Sequence, residues 1–394
     1  MTVPRNSDRA DAPGQQPDPD HPLPLDEDDA GLSFPHAPPQ LGGTCALAPD
    51  LLWLRMPLPW SLDHINLYLL DEGEGWLAID SGIDSRDLKA RWEAAFAGPL
   101  GGRPLSRVLA THHHPDHIGL AGWLAARFGA PILASREAWL MARTLQLDVR
   151  PEPPGEVIAF ARRAGLDEAM LAAQRRGGWG NYAKIVAPLP VGYRRLAGGD
   201  ILETGDDRWH VIETGGHAPG HLSLFSPARR LLISGDQVLP LISSNVSVFA
   251  TEPRGNPLAE WLEGLARMRA LPDDILVLPS HNAPFLGLHR RLDALIGKHL
   301  ERLEAVAEMC RTAATAVDVF PALFRRRVAG LEFALATGEA LAHLHYLESL
   351  GIVERQEKDG VARFRTVASF DREPVVARLA HITDQSRETA PWRT

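Results

Sequence analysis

The stretch Thr111–His117, with the sequence THHHPDH, constrains this chain more than any other part of its sequence. It holds four histidines and one aspartate within seven residues. Burying that many imidazoles and a carboxylate costs several kcal/mol for each group that lacks a partner. A bound metal ion offsets this cost, because neutral imidazole and ionised carboxylate are ligands of zinc and related metals. The stretch therefore predicts a metal site, with an exposed polar loop as the alternative interpretation.

The length and composition indicate a globular enzyme with two folded units. At 394 residues the chain exceeds what one hydrophobic core usually organises. No run reaches the roughly 18 apolar residues of a membrane helix, and no basic start followed by an apolar stretch opens the sequence. We therefore expect a cytoplasmic protein without membrane association.

The two cysteines, Cys45 and Cys310, lie far apart in the sequence. Two distant cysteines imply no disulfide framework, and thiolate ligation of a metal is not expected from them. The ligands of the predicted site must then be histidines and carboxylates.

The formal charge of -9 is concentrated in the N-terminal segment. Residues 1–40 contain eight acids and two bases, a net charge of -6, so the rest of the chain carries only about -3. That nearly neutral body neither indicates nor excludes a nucleic-acid partner. The segment 1–40 is acidic and proline-rich with almost no aliphatic periodicity, so we expect a disordered tail.

Strand and helix patterns after this tail predict an α/β arrangement around the histidine-rich stretch. A helix opening near Ser85 and a helix at 118–128 flank the strand at 108–111, which leads directly into the histidines. The other predicted strands of this half are 51–56, 65–70 and 76–80.

Helical segments interrupt this rhythm in residues 134–195. They are rich in Arg, Ala and Glu and are separated by Pro151, Pro153 and Pro154 and by a glycine-rich run. One interpretation is a peripheral helical insertion that only stabilises the fold. The other is a lid in which Trp179 and Tyr182 shape a substrate pocket.

Three more potential ligands each follow a predicted strand. His217 lies in a glycine- and proline-bounded loop, Asp236 follows the strand at 231–234, and His281 follows the strand at 275–278. Together with the histidine-rich stretch, they place four polar segments at strand ends. We therefore expect one site at one edge of a sheet.

The C-terminal part predicts helices followed by a β-hairpin. Helical spacing covers 287–311, 316–327 and 333–350, and Asp359-Gly360 is a hairpin turn signal. This order is typical of a winged-helix domain. We interpret His343 and His345, inside the last of these helices, as surface or packing residues.

The motif His112-x-His114-x-Asp116-His117, followed in order by His217, Asp236 and His281, resembles the metallo-β-lactamase superfamily. The resemblance covers roughly residues 50–290 and implies a four-layered αβ/βα sandwich with two metal ions. The C-terminal part resembles the domain attached to lactamase beta 2-like and glyoxalase II-like hydrolases. We therefore expect a catalytic domain at 41–305, with the helical insertion at 134–195, and a winged-helix-like C-terminal domain at 306–394.

The resemblance also implies a role for each ligand. His113 and His221 fall at positions that are not ligands in the family, although His221 would suit a structural role behind the ligands. By position, the first metal would be held by His112, His114 and His217, the second by Asp116, His117 and His281, and Asp236 would bridge them.

The residue types support hydrolysis independently of the family. Imidazoles and carboxylates leave each metal an open position for water, and a water held between two cations loses a proton near neutral pH. We expect a metal-bridging hydroxide as the nucleophile, with Asp116 orienting it and passing a proton to the leaving group. Zinc is the first choice because imidazole dominates the ligand set; iron and manganese are alternatives.

Three substrate hypotheses follow. The favoured one is hydrolysis of a small acyl substrate: a thioester, a lactone or another ester. A single-stranded RNA endoribonuclease is the alternative, although the only basic run is Arg325–Arg327. A DNA-binding regulator is disfavoured, because residues 333–350 offer few side chains suited to base recognition.

Several further residues are secondary candidates. Asp63, His64 and Asn66 either line the pocket mouth or form a polar loop, and Tyr193 is a candidate hydrogen-bond donor to an oxyanion. A hydrophobic wing face would allow a homodimer.

Overall fold

The structure, a computed structural model, describes residues 31–325, 327–328 and 332–392. Most of the predicted tail therefore lies outside the described residues. The part that is described makes defined contacts: Leu32 is buried in the core, and the backbone of Ser33 pairs with that of Leu286. The predicted tail, drawn to residue 40, therefore extends too far into the chain.

The first sheet follows chain order from β1 to β7. β1 to β4 pair antiparallel and β4 to β7 pair parallel. Its strands are β1 (Thr44–Ala48), β2 (Leu51–Pro57), β3 (His64–Asp71), β4 (Trp76–Ile79), β5 (Leu105–Leu109), β6 (Ile132–Ala134) and β7 (Arg194–Arg195).

The second sheet has the order β12-β11-β10-β9-β8. Its strands pair antiparallel except for the parallel pair β11 and β12. They are β8 (Ile201–Thr204), β9 (Asp207–Thr214), β10 (His221–Ser226), β11 (Leu231–Gly235) and β12 (Leu276–Pro279).

Helices cover the outer faces of both sheets. Those before the second sheet are α1 (Arg86–Ala97), α2 (Pro115–Ile118), α3 (Ala121–Phe128), α4 (Arg136–Leu147), α5 (Gly155–Arg163), α6 (Glu168–Arg176) and a 3-10 helix (Asn181–Lys184). Those that follow are α7 (Pro257–Met268), α8 (Leu288–Met309), α9 (Phe320–Leu323), α10 (Glu332–Ser349) and α11 (Glu373–Glu388). Within the described ranges, no helix combines the length and the apolar composition required to cross a bilayer.

Side chains along the central strands point alternately to opposite faces of the sheet, and this explains how the layers pack. In β3, Tyr68 and Leu70 join a core between the two sheets, whereas Leu67 and Leu69 join a second core with α1 and α3. A strand buried on both faces reads as a continuous apolar run, as this one does. The outer face of the second sheet packs on α7, α8 and α10. The predicted four-layered αβ/βα sandwich is confirmed.

The helix predicted at 118–128 begins at Ala121 instead, as α3, and the short helix α2 at Pro115–Ile118 lies in the stretch predicted as a loop. A side chain at Gly119 would lie 2.2 Å from the Pro115 carbonyl oxygen and 2.6 Å from that of Gly82. The amide of Leu120 donates to the Gly82 carbonyl at 2.9 Å, outside the helix. The loop between β4 and α1, which carries Gly82, therefore accepts the Leu120 amide in place of a helical carbonyl and separates α2 from α3.

The C-terminal part differs from the prediction in two helices. The helix predicted at 316–327 shrinks to the four residues of α9, where Pro321 occupies the first turn, and Arg326 of the predicted basic run lies outside the described residues. Helix α11 was not predicted, since only three of its residues are buried: Val375, Leu379 and Thr383.

The predicted hairpin is present as β13 (Val353–Lys358) and β14 (Val361–Thr366). Asp359 and Gly360 both have positive φ, as a two-residue turn of this kind requires. Its apolar side chains, such as Phe364, face the core, and charged ones such as Arg365 face outward. The hydrophobic wing face that would allow a homodimer is therefore not found on these strands.

Candidate metal centre

The seven predicted ligands lie in segments that leave strand ends at one edge of the sandwich. The histidine-rich loop follows β5, the loop with His217 joins β9 to β10, and Asp236 and His281 follow β11 and β12. Backbone hydrogen bonds join the sheets here: the Leu222 amide donates to the Thr111 carbonyl at 2.8 Å, and the Asn66 amide to the Ser280 carbonyl at 2.7 Å. These bonds hold loops of both sheets against each other.

Two glycines allow the loops to approach this closely. Gly216 has a φ of 91°, and a Cβ there would lie 2.2 Å from the Trp261 Cβ. Gly235, with a φ of 56°, has the His221 Nε2 only 2.4 Å from the position of a Cβ. Any larger residue at either position would displace the loop that carries a candidate ligand.

Three imidazoles form a first group at this edge. The Nε2 of His112 lies 2.9 Å from the Nδ1 of His114 and 3.3 Å from the Nε2 of His217. Two nitrogens bound at about 2.0–2.1 Å to one tetrahedral zinc lie about 3.3 Å apart. The spacing of the group therefore suits a shared metal ion.

A second group consists of one carboxylate and two imidazoles. The Oδ2 of Asp116 lies 3.6 Å from the Nε2 of His117 and 3.5 Å from the Nε2 of His281. Ligand atoms of this group, like those of the first, all lie within 4.8 Å of one another.

Asp236 lies between the two groups. Its Oδ2 is 3.3 Å from the Nε2 of His217 and 3.5 Å from that of His117, and its Oδ1 is 3.4 Å from the Nε2 of His281. One carboxylate thus contacts both groups. Among the described residues, the buried Asp236 Oδ1 and His117 Nε2 have no hydrogen-bond partner. Buried polar atoms without hydrogen-bond partners, within a cluster of possible ligand atoms, fit a site for bound cations.

Asp80 supports the second group and was missed by the sequence reasoning. Its Oδ2 lies 2.7 Å from the Nδ1 of His117, and the backbone amide and hydroxyl of Thr111 also donate to this carboxylate. Asp80 has a φ of 63°, uncommon for a residue with a side chain. A carboxylate behind a histidine fixes which ring nitrogen faces the metal. The available signal was an Asp directly after a buried strand.

His64 and Asn66 support His281 from β3. The Nδ1 of His281 donates to the His64 carbonyl at 2.7 Å, and the amide of Asn282 donates to the His64 Nε2 at 2.8 Å. The Asn66 side chain donates to the Asn282 carbonyl at 2.6 Å. Asp63 is exposed and pairs with the His64 Nδ1 at 2.6 Å. His64 and Asn66 therefore hold the His281 loop rather than forming a polar loop of their own.

Charge differs between the two groups. Burial, followed by the neighbouring imidazoles, holds the pKa of His112 and His114 well below the usual value. Burial also acts to lower the pKa of His117 and His281, but nearby carboxylates outweigh it and raise both. The imidazoles His281 and His117 overcome burial and hold the pKa of Asp236 well below its usual range. His112 and His114 therefore offer neutral nitrogens, and cation binding at His117 and His281 would release protons.

His113 and His221 lie outside both groups. Burial lowers the pKa of each to about 3, so both are neutral. His113 packs beside His114, with 4.7 Å between the ring centres. The Nε2 of His221 accepts the backbone amide of Asp236 at 3.1 Å. His221 thus positions the backbone of the residue that spans the two groups.

Of the other candidates in or beside the predicted insertion, Tyr182 lies nearest the site. Its hydroxyl donates to the His113 carbonyl at 2.6 Å, and burial, followed by the charge of Asp116, raises its pKa. The Trp179 indole donates to Asp148 at 2.8 Å instead. Tyr193 stacks on Trp139 with 4.8 Å between ring centres, so its described partner is an apolar ring rather than an oxyanion site.

Two buried histidines of α10 are packing residues. His343 and His345 are 0% and 6% exposed, so the alternative that they lie on the surface is wrong. His343 stacks on His299 of α8.

Comparison with known families gives two matches along the chain. Residues 60–281 match the sequence model described as "Metallo-beta-lactamase superfamily". Residues 303–367 match the one described as "Metallo-beta-lactamase-like, C-terminal domain".

Individual proteins are similar over most of the length. A beta-lactamase domain protein from Burkholderia ambifaria has a crystal structure with a TM-score of 0.78 and 39% identity, covering 86% of this chain and 99% of that one. A probable metallo-hydrolase of Bacillus subtilis (strain 168) is 26% identical over 81% of this chain and 98% of its own. The acyl-coenzyme A thioesterase MBLAC2 of Gallus gallus is 27% identical over 60% of this chain and 78% of its own.

Proposed function

The chain belongs to the metallo-beta-lactamase superfamily of hydrolases, and on that premise we propose that it is a dinuclear metal-dependent hydrolase of a small acyl substrate. The observation that carries the proposal is the position of Asp236 between two groups of ligand atoms. A single structural metal would need only four ligands, and here seven side chains converge.

The ligand assignment is part of the proposal. His112, His114 and His217 would hold one ion, Asp116, His117 and His281 the other, and Asp236 both. Zinc remains the first choice because five of these seven ligands are imidazoles, with iron and manganese as alternatives. When bound, such a pair of ions would lower the pKa of a water molecule and polarise the scissile carbonyl.

The residues around the two proposed ions would have separate roles in the reaction. Asp116 has a side chain 12% exposed, against 0% for His117 and 1% for His281. It is therefore the member of the second group that solvent and substrate reach most easily. We assign it the tasks of orienting the attacking water and passing a proton to the leaving group. Asp80 holds His117 with its Nε2 toward the centre.

A thioester is the acyl substrate that suits this arrangement best, with lactones and other esters also in the class. A thiolate leaves without a strong general acid, so Asp116 and the metal pair suffice. The similarity to an acyl-coenzyme A thioesterase of Gallus gallus supports this choice.

One substrate panel tests the proposal. Acyl-coenzyme A, S-lactoylglutathione, a lactone and single-stranded RNA are assayed on the same metal-loaded preparation, beside an Asp236→Ala variant. We expect turnover of an acyl substrate, and its loss together with metal in the variant. Cleavage of RNA alone, lost in the same variant, would replace the acyl assignment by the ribonuclease alternative. Full metal content and unchanged turnover in the variant would remove Asp236 from its bridging role.

A further inference from the structure

The carbonyl oxygen of Asn245 orients one of the candidate ligands. The Nδ1 of His217 donates to it at 2.8 Å, which leaves Nε2 directed toward His112 and Asp236. Residues 243–249 are neither helix nor strand. No sheet ladder therefore fixes this carbonyl, and its position must come from what packs against the segment.

Helix α10 holds this segment by direct hydrogen bonds. The amide of Val248 donates to the Gly338 carbonyl at 3.0 Å. The hydroxyl of Ser247 lies 3.1 Å from the Leu335 carbonyl and 2.6 Å from the Asn245 Oδ1. Ser247 is 5% exposed and Val248 is 3% exposed, so these bonds are sheltered from water. The segment is thus fastened to α10 immediately after Asn245.

Helix α8 holds the same segment on its N-terminal side. The guanidinium of Arg291, 3% exposed, donates to the carbonyls of Leu239 at 2.6 Å and Ile242 at 2.8 Å. The hydroxyl of Ser243 lies 3.1 Å from the Nε2 of His299. Asn245 therefore sits between two anchored points, both on helices of the C-terminal part.

Gly338 makes the contact with α10 possible. A Cβ at this position would lie 2.7 Å from the Ser247 Cβ and 2.9 Å from the Val248 carbonyl oxygen. A glycine inside a helix is less favourable than an alanine. Here the cost is offset by the close approach of helix and segment.

We propose that α10, docked through Gly338 and Ser247, is a positioning element of the metal centre that fixes the Asn245 carbonyl and thereby the Nε2 of His217. The inference rests on the proposed function, since it takes His217 as a ligand. It assigns helix α10 a part in one ligand group, the group of His112, His114 and His217.

The test is a zinc titration of metal-free protein against a competing chromophoric chelator. Wild type should bind two equivalents. In Gly338→Ala, one of the two binding steps should weaken about tenfold or more, the usual effect of losing support behind a metal-binding histidine, with the other step unchanged. Ser247→Ala should weaken the same step, and it covers the case in which Gly338→Ala does not fold.

Two further variants test whether the weakened step is the one that involves His217. Gly297→Ala, in helix α8, is the matched control: apart from its chain neighbours and its own helix backbone, nothing lies within 4 Å of the new Cβ, so both steps should stay unchanged. Adding Gly338→Ala to a His217→Ala chain should not weaken the remaining step further, because the coupled partner is already gone.

The possible failures are distinguishable. Unchanged binding in both Gly338→Ala and Ser247→Ala, or equal weakening of both steps, would overturn the positioning role while leaving the dinuclear proposal in place. A wild type that binds fewer than two equivalents would contradict the proposed function itself.

Discussion

At the scale of single residues, the orientation of the candidate imidazole ligands depends on the ring nitrogen that points away from the centre. The Nδ1 atoms of His112, His117, His217 and His281 face the Thr111 hydroxyl, the Asp80 carboxylate and the carbonyls of Asn245 and His64, respectively. Each pairing directs Nε2 to the centre, and His114 alone presents Nδ1. Hydrogen-bond partners outside the candidate ligand set therefore orient four of its five imidazoles.

His113 provides the sharpest contrast with its neighbours. It lies between two proposed ligands in the sequence, but its ring belongs to neither group of ligand atoms. We expect His113→Ala to retain two metal equivalents and His112→Ala to lose at least one, as measured by elemental analysis of the purified proteins. Loss of one equivalent from His113→Ala would show that the ligand assignment within the loop is wrong.

Asp80→Asn tests the support behind His117. The amide would offer a donor where the carboxylate accepts, which favours the tautomer with a proton on the metal-facing Nε2. We expect one zinc-binding step to weaken about 10–100-fold. The exposed Asp87→Asn is the control, and its binding should match wild type. Equal affinities in both variants would mean that Asp80 does not orient His117.

These residues also mark what the sequence could and could not predict. The seven candidate ligands were recognised because their residue types and order form a dense motif. No motif in the sequence identifies Asp80, since an Asp after a strand is common. Its role depends on the packing of β4 beside the histidine-rich loop. The function of the Asn245 carbonyl is beyond sequence reasoning, because every residue has a carbonyl.

At the scale of elements, strands buried on both faces were predicted well and peripheral elements were not. β3 is an apolar run and was predicted within one residue at each end. β1 is an edge strand without buried residues, and it was missed. The interruption at Gly119 was missed because it comes from the loop with Gly82, which is close in space but distant in the sequence, rather than from a local signal.

The packing of α8 on α10 predicts a pH dependence. His343 is buried against His299, its Nδ1 donates to the Glu339 carbonyl, and burial, with a smaller effect of Arg302, lowers its pKa to about 3. The unfolded chain takes up a proton near pH 6.5, so it binds more protons than the folded chain between about pH 6.5 and 3. The free energy of unfolding should therefore fall as the pH drops through this window.

His343→Gln removes this contribution, so its unfolding free energy should fall less between pH 7 and pH 5 than that of wild type. Denaturant unfolding at several pH values measures the difference. His381→Gln, at an exposed position of α11, is the control and should keep the wild-type dependence. Identical dependence in all three chains would contradict a buried neutral His343.

At the scale of the whole molecule, loops of the two sheets place the candidate ligands at one edge, and helices α8 and α10 pack against the segment that follows Asp236. The sandwich was predictable because strand order and ligand order are readable along the chain. The contact between α10 and the segment after Asp236 was not predictable, because residues about 90 positions apart meet there through the backbone amide of Val248 and the carbonyl of Gly338. The division into a catalytic and a winged-helix domain remains a prediction.

The most direct test of the account is an anomalous diffraction map of zinc-loaded crystals. We predict two peaks: one about 2.0–2.3 Å from ligand atoms of His112, His114 and His217, the other at that distance from Asp116, His117 and His281, with Asp236 in contact with both. A single peak, or two peaks of which either lies away from these residues, would contradict the dinuclear centre.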